Sequence, residues 1–277
     1  MIILYYEWKR YIKSALKIAI LCALLVLLAI PFLPFVQEPE LVEEMRQALD
    51  MFPDLLLSTF GLHAGQNFTS PARYLSFVFI FVFVIAGLFA AWLGGRCFSK
   101  ERADGTIDLL LQKPLHRWQI MLFKILANLL AMATFLVLFY LMYRGILFLY
   151  GLFQLPVDAQ TLPTGSILIA LFALMTLIFS LSVLISMPIP TDKIAVPITI
   201  GLTAFLYLVH AAQSTDSSLA AMESVSPFHY IRPQAVAAGD PAPVAAFFLI
   251  SLLLLSAAFA LLYNNDIRKK FTLKGTM

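Results

Sequence analysis

The chain has 277 residues, 61% hydrophobic and only 13% charged, with a formal net charge of +3. A soluble domain carries about 45–50% apolar and about 25% charged residues, so these charges cannot clothe a water-facing surface around so much apolar material. That excludes a soluble enzyme, a disordered chain and a disulfide-stapled secreted domain, and leaves an integral membrane protein built as one domain over 1–277.

A spanning helix needs about 20 mostly apolar residues, and long runs without alternation exclude a barrel. Six such runs predict an all-α fold, at about 15–36, 74–95, 119–149, 165–187, 194–212 and 243–263. Before the first, MIILYYEWKRYIK mixes aromatic rings with Glu7, Lys9, Arg10 and Lys13. Such a stretch suits a helix lying in the membrane interface, or a positively charged flank of the first span. The run leads into IPFLPFV rather than a small-residue cleavage site, so it is read as a retained span and not as a signal peptide.

The loop 37–73 carries acidic and apolar residues at helical spacing, which predicts one or two short amphipathic helices on the outer surface. In the second run, Gly87, Ala91 and Gly95 are four apart, as are Ala86, Ala90 and Gly94. Such rows let helix backbones approach closely, inside a bundle or across a dimer. Before the fifth run, Pro188, Pro190 and Pro197 predict either a tight turn or a broken helix. The loop 213–242 begins polar and ends in SPFHYIRP, a Pro-bounded aromatic stretch suited to the interface.

Orientation follows from Lys and Arg. With a cytoplasmic N-terminus, the inner face receives 15 of the 19 basic residues and the outer face keeps Arg46, Arg73, Arg144 and Arg232. Both termini are therefore expected in the cytoplasm.

No catalytic constellation stands out. The sequence has no phosphate-cradling GxxxxGK[ST] loop and no GxSxG elbow. His63, His116, His210 and His229 lie in separate segments without ligand spacing, and the ten Met read as packing residues. Cys22 and Cys97 imply no bridge. No catalytic residue, resident metal or cofactor is expected in this chain. None of the six runs holds a carboxylate, which weighs against an ion-driven carrier. Lys17 and Lys124 lie near inner ends and can snorkel. Arg144, near the outer end of the third run, either anchors that helix at the headgroups or touches a solute pathway.

The inner loop 96–118 is the most informative segment. Gly105 breaks the preceding segment and Asp104 or Thr106 can cap a new helix. Ile107, Leu110 and Leu111 then fall on one face, with Asp108 and Gln112 opposite and Pro114 as a stop. About two turns of helix cannot stand alone in water, so a membrane surface or a partner's groove must cover the apolar face.

The run Glu101-x-x-x-Gly105-Thr106-Ile107-Asp108-x-Leu110-Leu111-x-x-Pro114-x-x-Arg117-Trp118, followed by Lys124, resembles the loop between the second and third spans of ABC-transporter type 2 permeases. MFPDLLLSTFGL, SPFHYIRP and Asn265-Asp266-Ile267-Arg268 look similar to that family too, as do the six spans. Many family members carry a second acidic residue where Ala103 stands, and Asp104 is the nearest substitute.

The resemblance implies that 101–113 is a coupling helix docking on a separate cytoplasmic ATPase, present in two copies and binding the ATP and Mg that this chain lacks. It further implies a second permease, identical or paralogous, and a multi-pass place in a bacterial inner membrane among lipid, without nucleic acid as a partner. The function implied is half of an ATP-driven exporter. The rival is a membrane scaffold or signalling partner whose ATPase passes no solute. The Phe-rich spans suit a hydrophobic or amphiphilic cargo, although lipid-facing rings give the same composition.

Overall fold

The structure, a computed structural model, describes residues 2–32, 47, 71–103, 117–152, 164–212, 225–240 and 242–274. Every regular element among these is a helix. In chain order they are α1 (Ile2–Ala29, closed by a 3₁₀ turn Ile30–Phe32), α2 (Pro71–Arg96), α3 (Ser99–Ala103) and α4 (Arg117–Leu152). Then come α5 (Thr164–Ser186), α6 (Asp192–Ala212), α7 (Pro227–Tyr230), α8 (Pro233–Ala238) and α9 (Val244–Lys274).

Six of them, α1, α2, α4, α5, α6 and α9, are long and apolar enough to cross a membrane. Four match the predicted runs to within a few residues at both ends, and α9 matches at its start but continues as helix to Lys274. The first differs. α1 runs unbroken from Ile2 through 28 residues, about 42 Å at the α-helical rise. The aromatic and basic stretch is thus the lower part of the first spanning helix, not a separate interfacial helix. The loop 37–73, apart from Gln47 and the start of α2, lies outside the described residues.

The prolines before α6 make a tight turn. Ile189 N donates to Ser186 O at 3.2 Å, and Thr191 O receives Ile194 N at 3.3 Å and Ala195 N at 3.1 Å to open the next helix. α6 continues through Pro197, which forfeits one backbone donor near the helix start.

α2 is the central helix. It packs against α5 and α6 on one side and α1 on another, while α4 lies along α1 and α9 along α5. The small-residue rows explain how. A Cβ on Gly94 would sit 2.6 Å from Ser182 Cβ and 2.7 Å from Phe179 O, so α5 touches the α2 backbone there. A Cβ on Gly95 would meet Thr199 Oγ1 of α6 at 2.6 Å. Both rows therefore serve packing within the bundle. Across the same contacts Ser186 Oγ donates to Gly94 O and Thr199 Oγ1 to Ala91 O, each at 3.1 Å. Hydrocarbon offers hydroxyls no partner, so carbonyls of neighbouring helices are a natural place for them.

Rings join α2 to α4. Phe89 meets Phe135 at 5.8 Å, Phe79 meets Phe139 at 5.9 Å, and Phe79 meets Tyr143 at 5.6 Å between centroids. These pairs set an antiparallel register with two consequences. The end of α2 at Arg96 lies level with the neighbourhood of Asn128, and α4 starts about 15 Å beyond it, at Arg117. Glu7, Arg96 and Lys124 mark the proximal end of the bundle and Tyr74 the distal end.

Candidate functional site

The predicted coupling residues Gly105, Thr106, Ile107, Asp108, Leu110, Leu111 and Pro114 lie outside the described residues. Their flanks are described. Glu101 belongs to α3 and Arg117 opens α4, so the described flanks of 104–116 are the α2–α3 corner and the proximal tip of α4. Together these flanks form a platform at the proximal end.

The platform begins where α2 ends. Cys97 N bonds Gly94 O at 3.2 Å and Ser99 Oγ bonds Gly95 O, turning the chain into α3. The carbonyl of Cys97 falls in this corner, beside the negative end of the α2 dipole. Lys124 of α4 answers it: Nζ donates to Cys97 O at 2.9 Å and lies 3.8 Å from Glu7 Oε1 of α1. The same ammonium sits 5.7 Å from the Phe98 ring centre. Cations are favoured at a helix C-terminus, and a buried ammonium requires a carboxylate or carbonyls around it.

Lys124 is only 4% exposed. The expectation that it snorkels to water is therefore corrected: its stem turns inward because Glu7 and a helix terminus offer better partners there than headgroups do. One turn later, buried Asn128 donates Nδ2 to Lys124 O at 2.8 Å and to Cys97 Sγ at 3.6 Å. Glu7 also holds Arg10 at 3.9 Å. Higher on α1, Trp8 Nε1 donates to Thr134 Oγ1 of α4 at 3.0 Å.

A second pair ties α6 to the platform. Arg96 Nε lies 3.8 Å from Asp192 Oδ2 and its guanidinium stands 4.9 Å from the Trp92 ring centre. Asp192 occupies the first turn of α6, where a carboxylate is favoured by the helix dipole. Trp92 in turn takes the edge of Tyr11 of α1 at 5.8 Å. α1, α2, α4 and α6 are thus cross-linked at one level. Sequence reasoning missed this because Glu7 lies outside the apolar run predicted for the first span, and hydropathy does not report pairing.

Arg144 is exposed on α4 beside buried Tyr143. It stands about 30 Å along the helix from Lys124, one hydrocarbon thickness. At the distal end the two His that the sequence separates come together, with the rings of His210 and His229 6.1 Å apart. His229 O accepts from Arg232 Nε at 3.1 Å. No group of three or more metal-capable side chains occurs among the described residues.

The family described as ABC-2 family transporter protein matches residues 1–266. Comparison with curated proteins and with solved structures finds no match.

Proposed function

Because the chain belongs to the ABC-2 transporter family and is a membrane permease component of an ABC transporter, we propose that it forms half of the path of an ATP-driven exporter. A separate cytoplasmic ATPase, in two copies, binds ATP and Mg and docks on 101–113, and a second permease completes the path. The observation that carries this reading is the platform: the described flanks of 104–116 are the α2–α3 corner and an α4 tip about 15 Å beyond α2. A segment flanked by two braced helices can deliver a push to the bundle. For ATP to drive a change, the ATPase must hold the segment differently in its two states. Apolar Ile107, Leu110 and Leu111 would fill the partner's groove and Asp108 would meet its rim. Arg144 reaches the solute path only if the second permease covers that exposed face of α4. The apolar, Phe-rich spans favour an amphiphilic cargo.

The test is affinity purification of the tagged chain in mild detergent. The wild type brings down a soluble subunit with a phosphate-binding loop and ATPase activity. Gly105→Pro and Asp108→Lys each lose that subunit, or its stimulated activity, while membrane insertion stays intact. Normal recovery and normal stimulated ATPase in both variants overturn the docking assignment. ATPase indifferent to every candidate solute would favour the scaffold over the exporter.

A further inference from the structure

Lys124 makes a buried three-way junction. Its backbone belongs to α4, its ammonium holds the carbonyl of Cys97 at the α2–α3 corner, and its charge is met by Glu7 of α1. Asn128 repeats the link one turn on, from α4 to the Cys97 sulfur. Cys97 precedes Ala103 by two turns of chain and Lys124 follows Arg117 by two turns of α4, so the junction joins the two flanks of 104–116. The proximal part of α4 extends about 15 Å past α2 and buries Met121 and Ile125 in the core; the junction adds its polar tie to the α2–α3 corner. With it, α4, the corner and α1 share a buried ionic contact, and separating its members costs the charge-assisted bond to Cys97 O and the attraction of Glu7.

We propose that Lys124 is a positioning residue, transmitting displacement of 104–116 to α1 by locking the α4 lever and the α2–α3 corner into one rigid unit. The proposal rests on the ATPase-coupling reading above. It assigns to Glu7, distant in sequence, the role of receiving that displacement on α1.

The test uses the complex purified with its ATPase subunit. Spin labels are placed on exposed positions by Tyr6→Cys on α1, Trp118→Cys on the α4 lever and Leu261→Cys on α9; Cys22 and Cys97 are buried. In the wild-type background the distance between 6 and 118 stays fixed on trapping with ATP, Mg and vanadate, while the distances of both to 261 shift. In Lys124→Met the 6-to-118 distance broadens, the 118-to-261 shift survives and the 6-to-261 shift is lost. Lys124→Arg, which keeps both the charge and a donor for Cys97 O, retains the wild-type pattern, which repair of packing alone would not do. Glu7→Gln gives the same reading if Lys124→Met fails to fold. A Lys124→Met complex that carries the shift to α1 unchanged overturns the proposal alone. A wild-type complex without any ATP-dependent shift overturns the coupling reading, and this proposal with it.

Discussion

Gly94 and Gly145 are the same residue in opposite surroundings. A Cβ on Gly94 collides with the backbone of α5, whereas a Cβ on Gly145 meets nothing within 4 Å. Gly94→Ala should therefore cost about 1–3 kcal/mol through overpacking, and Gly145→Ala should be neutral or gain up to about 1 kcal/mol from helix propensity. Thermal unfolding of the detergent-solubilised chain checks the pair, and equal midpoints would contradict the packing assigned to α2. The two ion pairs offer a similar contrast. Arg96 and Asp192 keep 24% and 23% of their side chains exposed, so Asp192→Asn should cost no more than about 1 kcal/mol. Glu7→Gln removes a carboxylate that faces the buried Lys124 ammonium at 3.8 Å and should cost more, roughly 3 kcal/mol. The reverse ranking would remove Lys124 from the centre of the platform. The small-residue rows were legible in the sequence because their spacing is local. The Glu7–Lys124 pair was not, because it joins two helices whose charges each look like ordinary flanking residues.

Among the elements, α7 and α8 depart furthest from the sequence reading. SPFHYIRP was expected at the interface, yet Phe228 is buried against Tyr207 at 5.5 Å between ring centres, and α8 packs on α2 and α5. Ser226 Oγ anchors the segment by donating to Leu206 O of α6 at 2.8 Å. Gly239, at φ +96°, closes α8 with its N–H on Val236 O, a conformation glycine adopts without strain. Helices of four and six residues cannot persist alone, so their stability is tertiary and no periodicity announces it. Phe228→Ala should cost about 3–5 kcal/mol locally. Hydrogen exchange across 226–238 should rise strongly while α2 and α5 stay protected. Unchanged exchange there would mean that the segment is held by something other than Phe228. The spanning helices were legible for the opposite reason: in lipid the backbone satisfies itself within each helix, so apolar length alone defines them. Where α1 begins was misjudged because Glu7 and the basic residues after it look like flank, although helix continues through them.

At the scale of the molecule, α2 and α5 bury the largest share of their apolar length and α9 the smallest, so two central helices are ringed by four that face outward. This arrangement is indifferent to which end faces the cytoplasm, because apolar packing carries no sense of direction across a symmetric hydrocarbon layer. Charge breaks that symmetry. The proximal end carries Lys9, Arg10, Lys13, Arg96, Lys100, Lys124 and Lys193 among the described residues, against Arg73, Arg144 and Arg232 towards the distal end. Translocating basic loops is disfavoured, so the proximal end should be cytoplasmic, which also puts 104–116 within reach of a soluble ATPase. Lys193 and Asp240 are exposed at opposite ends, and the two native cysteines are buried. In spheroplasts, a membrane-impermeant maleimide should label Asp240→Cys at once and Lys193→Cys only after permeabilisation. The opposite pattern would place the platform and 104–116 outside the cell, where no ATP is available, and a cytoplasmic ATPase could not then drive this permease through that segment.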